Sequence, residues 1–209
     1  MAMTGLNPTM AKTRIEDFNG EASALQREIM TLTTNFFAEL SQIWFSPKAL
    51  EFQDIAVAAV DDFNRELVYL IESIVNDSCE AFNAIATSNG VPSILIETGP
   101  FASLSYTKLL EMDPEGNVVI DVSQTRTLTD NFTNSLSGIM KSTNNLAKDI
   151  ALYDPEGNLA RIFALRIDKF CKYVDENIKI VNKELNDKID EQITVATEGV
   201  QKAQENLGQ

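Results

Sequence analysis

Three observations predict a mainly α fold: a four-helix bundle built from two tandem antiparallel helical hairpins, with a small β-hairpin insert between them. Long segments place apolar residues three and four apart, as helices buried along one stripe do. The region around residues 93–125 loses that period and turns β-branched between Pro and Gly signals. The helical pattern also occurs twice. Ile43, Pro47, Phe63 and Ile74 reappear as Ile150, Pro155, Phe170 and Ile180, at offsets of 107, 108, 107 and 106. One supersecondary unit used twice and packed on itself explains such a repeat.

Residues 1–12 are expected to form an unstructured lead-in, and the first hairpin to span 13–91. Its first helix opens at Thr13-Arg14-Ile15-Glu16, a hydroxyl with a carboxylate three residues on, and carries Ile15, Phe18, Ala22, Leu25, Ile29, Leu32, Phe36, Leu40 and Ile43 on one stripe. Ser46-Pro47 starts the second helix, Ser as N-cap and Pro at the first helical position. Asn89-Gly90-Val91-Pro92 ends it. The insert takes 92–126, with β-type runs at Ser93–Glu97 and Val118–Val122 around the turn Asp113-Pro114-Glu115-Gly116-Asn117. The second hairpin fills 127–209. Its first helix opens near Thr129-Asp130 and its second at Asp154-Pro155, the latter continuing through Ile193, Ala196, Val200, Ala203 and Leu207. From about Thr197 onward this helix frays or needs a partner.

Composition narrows the function. A net charge of −14 and a pI near 4.4 oppose binding to nucleic acid or an anionic membrane surface. Histidine is absent, which removes the commonest general base and the commonest zinc ligand. Asp61 and Asp62 are adjacent, so a helix points them about 100° apart and they form no dyad. The pentapeptide Asp-Pro-Glu-Gly-Asn, present at 113–117 and 154–158, lacks the alternating ligands and distal Glu of a calcium loop and reads as turn chemistry. No catalytic residue, no cofactor site and no metal site is predicted, and the chain is expected not to be an enzyme. Cys79 and Cys171 make no disulfide framework, although a bond between them is left open. The first ten residues show no Sec-type signal peptide, and no apolar run reaches membrane-spanning length.

Trp44-Phe45-Ser46 between two helices of similar length, with Phe52 eight residues after Trp44, resembles the WXG (early secreted antigen-like) family of type VII secretion. The hallmark of that family is a Trp-x-Gly turn in a helical hairpin followed by an aromatic residue; here Ser46 stands where Gly would. The likeness covers about 14–90 directly, and the second half through the repeat, where Tyr153 or Leu152 takes the place of Trp44. The resemblance implies a tandem, self-dimerised member of the family, with Trp44, Ser46, Phe52 and Tyr153 as its motif residues. It implies a protein partner, either secretion machinery or a co-secreted protein, and a monomer whose core is satisfied by an internal pseudo-dimer. Localisation is then secreted without a Sec signal, or cytoplasmic. The family's Tyr-x-x-x-Asp/Glu export signal is not matched: Tyr173 is followed four residues on by Asn177, and Tyr69 by Ser73.

The expected function is therefore a non-enzymatic helical interaction protein, a secreted substrate or a chaperone-like partner. Two alternatives remain at this point. One is an α-helical pore-forming toxin that uses the insert as a β-tongue. The other is a structural or phage-type assembly protein.

Overall fold

The computed structural model describes residues 7–150 and 158–207, with side-chain placements for all of these but 140, 141, 143–150 and 158–160. The chain is mainly α: four helices, with a two-stranded antiparallel sheet between helices. Helix α1 spans Pro8–Leu40, strand β1 Trp44–Phe45, α2 Pro47–Ser88, β2 Val119–Ile120, α3 Val122–Ile150 and α4 Asn158–Leu207.

Local chemistry sets each boundary. Asn7 caps α1 by accepting the Met10 N–H at 3.0 Å, with Pro8 as first helical residue, so the helix begins ahead of the Thr13 capping box. Ser46 caps α2, its Oγ accepting the Ala49 N–H at 3.0 Å, and Gly90 leaves that helix with φ of 68°. Helix α3 starts seven residues before the expected Thr129. Asp121 accepts the Gln124 N–H at 2.9 Å, and the β-branched run 118–122 is cut down to Val119–Ile120. The run 93–97 belongs to no strand. The strand partner of β2 is the turn after α1, in the register Trp44↔Ile120 and Phe45↔Val119. The expected N-cap of α4 at Asp154-Pro155, and Tyr153, lie outside the described residues.

The chain forms two compact units, and each helix contributes a stretch to each. Unit 1 comprises residues 1–30, 62–103 and 136–174. Its core holds Phe18, Ala22, Leu67, Ile71, Ile74 and Ile167, all buried. Phe63 and Phe170, partners in the internal repeat, stack on each other with centroids 5.6 Å apart and planes 16° from parallel. The repeat is sharper in the structure than in the pairing of Ile74 with Ile180. Ile180 is 53% exposed, whereas Val181, at the uniform offset of 107, is buried like Ile74.

Unit 2 comprises residues 31–61, 104–135 and 175–209. An aromatic cluster fills it. Phe36 stacks on Phe132 at 4.4 Å and meets Phe52 edge-on at 6.4 Å, and Phe52 stacks on Trp44 at 6.0 Å. Leu40, Leu109, Leu185 and Ile189 close it.

Candidate interaction site

Three of the four motif residues come together in unit 2. Trp44, Ser46 and Phe52 are each fully buried. Trp44 sits in β1, and its backbone is fixed on both sides: Ser46 N–H donates to the Leu110 carbonyl at 3.0 Å, and Asp121 N–H to the Ile43 carbonyl at 2.9 Å. The turn is thus a junction where the hairpin, the insert and the start of α3 meet. Its indole is a core residue rather than a contact surface. Among the described residues, Trp44 Nε1 finds no hydrogen-bond acceptor, a cost of about 1–3 kcal/mol that the aromatic packing must offset.

Polar chemistry that the sequence reading missed lies along the insert. Residues 91–110 form no helix or strand and run as a strap, held through its backbone by carboxamides. In unit 1, Asn83 accepts the Ile94 N–H at 2.7 Å and donates to the Ile94 carbonyl at 2.8 Å. Asn19 donates to the carbonyls of Glu97 and Gly99 and accepts the Gly99 N–H at 3.1 Å. Gln26, with no exposed surface, donates to the Ala102 carbonyl at 2.7 Å and accepts the Ala102 N–H at 2.8 Å. In unit 2, Gln53 repeats the device on the Thr107 carbonyl and the Leu109 N–H.

The spacing follows from element geometry. Asn19 and Gln26 are seven helical residues apart, a rise of about 10.5 Å. Their targets Gly99 and Ala102 are three residues apart, an interval that a chain can span without reaching full extension only if it stays beside the helix face. The signal was present as polar residues on a buried face, since Asn19, Ser23, Gln26 and Thr33 advance by four, three and seven.

Two charged features complete the surface. In unit 2, Lys48 and Lys188 alternate with Glu51 and Glu191 in a ring. Lys48 lies 2.8 Å from Glu191 and 3.0 Å from Glu51, and Lys188 lies 2.8 Å from Glu51 and 3.3 Å from Glu191. Hydrogen bonds from Lys188 and then Lys48 hold the Glu51 carboxyl below its ordinary range, and Lys48 does the same to Glu191. Both lysines are pushed up in return. In unit 1, an open cleft of about 550 Å³ is bordered by Glu66, Tyr69, Asp77, Arg166 and Lys169. Arg166 pairs with Asp77 at 2.5 Å, and the Tyr173 hydroxyl donates to Asp62 at 2.8 Å. One cation of the cleft is thus neutralised by one of its carboxylates.

Asp113 organises the first Asp-Pro-Glu-Gly-Asn turn by accepting from the N–H groups of Glu115 and Asn117, with Gly116 at φ of 86°. Those bonds, Asn117 first, lower its carboxyl below the usual range. Cys79 and Cys171 are both thiols. Among the described residues no cluster of metal-ligating side chains occurs, and no helix is long and apolar enough to cross a membrane. No protein-family model, curated protein or solved structure matches the chain.

Proposed function

We propose that the chain is a non-enzymatic helical interaction protein of the WXG type, a secreted substrate of a type VII secretion system or a chaperone-like partner within one. The observation that carries this reading is the turn. A buried Trp44 joins two helices and stacks on Phe52, eight residues later, in the core of unit 2. The stacking of repeat partners Phe63 and Phe170 supports the tandem form.

The test is binding of the full chain to the soluble part of its host's type VII ATPase, read by calorimetry. A saturable heat at one site supports the reading, and no heat at any concentration of either protein overturns it. A pore-forming role would require the strap to peel away, because Ile94 and Ile96 are buried and Asn19, Gln26 and Asn83 hold its backbone. Leakage from liposomes that is lost in Ile96→Asp would favour that rival.

A further inference from the structure

The end of α4 has no packing partner among the described residues. Ile189 is fully buried, Asp190 and Glu191 still form ion pairs with α3 and α2, and from Ile193 to Leu207 every residue is exposed. This stretch is a poor helix on its own. Thr194, Val195, Thr197 and Val200 are β-branched and Gly199 is the weakest former after proline, while isolated helices of this length are marginal even in favourable sequences. A helix here needs something to pack on.

Its pattern says what. Ile189, Ala196 and Ala203 lie seven apart, as do Ile193, Val200 and Leu207, the two series alternating by four and three. That is a heptad seam. The same spacing occurs earlier in α4, where the buried Ile167, Val174 and Val181 are also seven apart; from Ile193 on it continues on an exposed face.

The residues flanking the exposed seam are Gln192, Thr197, Gly199, Gln204 and Asn206, all uncharged. The charges of this stretch, Glu198, Lys202 and Glu205, fall on the far side. In a chain of net charge −14, that arrangement removes the like-charge repulsion two identical helices would meet, and it offers no charge pattern to select a different partner.

We infer that residues 193–207 pair with the same segment of a second copy as a short antiparallel coiled coil. Antiparallel pairing sets Ile193 against the other copy's Ala203 and Val200 against its Ala196, so large meets small in both pairs. Parallel pairing would stack alanine on alanine. Antiparallel helices also oppose their dipoles and keep the two acidic bundles apart. This inference does not depend on the secretion reading.

The experiment is sedimentation equilibrium on the full chain. A reversible monomer–dimer equilibrium is expected, weakened at least tenfold by Val200→Glu on the seam. Val195→Glu is the control. Val195 is 60% exposed, against 58% for Val200, but lies off the seam, and its variant should associate like the parent. Equal weakening by both variants, or a monomer at every concentration up to about 1 mM, overturns the inference. Orientation is read by oxidative crosslinking with Cys171 replaced by Ser. A mixture of Ala196→Cys and Val200→Cys chains should link to each other, and Val200→Cys chains alone should not. The reverse result overturns the antiparallel arrangement.

Discussion

Replacing Gln26 by Leu tests whether the carboxamides hold the strap. The side chain has no exposed surface and makes three hydrogen bonds, two to Ala102 and one to Asn64 Oδ1 at 2.6 Å. At about 1 kcal/mol net for each bond, their loss costs about 3 kcal/mol. Leucine has a similar volume and recovers about 1 kcal/mol by burying apolar surface, which leaves a net loss of about 2 kcal/mol. Because the strap can open without the helices unfolding, the loss should appear first as local exchange. Protection of the Ala102 amide should fall about 30-fold, as 2 kcal/mol requires, and the urea midpoint should drop with an unchanged m-value. The exposed Ser88→Ala, which removes one bond to the Ala84 carbonyl, should stay within about 0.5 kcal/mol. A change below about 0.5 kcal/mol for Gln26→Leu, with Ala102 still protected, would refute the strap argument.

Other outcomes follow from the same geometry. Trp44→Ala should cost about 3–5 kcal/mol, whereas Trp44→Phe keeps a ring against Phe52 and removes the unpaired indole N–H, so it should cost about 1 kcal/mol; equal costs in urea melts would contradict the account. Glu51, Glu191 and Asp113 have carboxyls depressed by their partners. Their contribution is therefore present above the unfolded carboxylate range, about pH 4, and lost as pH falls through the depressed values. The thermal midpoint should hold from pH 7 to 5 and fall below 4, less steeply in Glu51→Gln; an identical fall in that variant would exclude the ring as a source. Burial pushes the Cys79 thiol up despite a hydrogen bond from the Ile96 backbone. At pH 8 a thiol-reactive dye should label the half-buried Cys171 first and Cys79 only after denaturant is added, and equal initial rates would contradict the burial.

Much of the fold was legible because it rests on periodicity. The stripes of α1, α2 and α4 place Phe18, Phe63 and Phe170 in the core as expected, and Ser46-Pro47 and Asn89-Gly90 mark real ends of α2. Misplaced boundaries arose where two local signals competed. Asn7-Pro8 outranks Thr13 as a start because proline presets the first turn, and Asp121 with Gln124 captures residues whose β-branched character pointed to a strand. The expected insert hairpin differs for a tertiary reason. Val119 and Ile120 find their strand partners 74 and 76 residues earlier in sequence, in Phe45 and Trp44, and pairing over that distance leaves no local trace. At the candidate site, the Trp44–Phe52 pair was readable from an eight-residue interval. The carboxamide strap left only a partial signal, polar residues at helical spacing on one face of α1, and its targets were not legible, because Asn19, Gln26, Gln53 and Asn83 act on backbone groups, whose presence any sequence shares.

The proposed role in a type VII secretion system is tested most directly by the ratio of extracellular to cell-associated protein in the native host, compared with an isogenic strain whose type VII ATPase is inactivated. A secreted substrate should vanish from the medium with the ATPase; for a chaperone-like partner, a co-secreted protein should vanish when this chain is deleted. Unchanged extracellular levels of both in the two tests would contradict it.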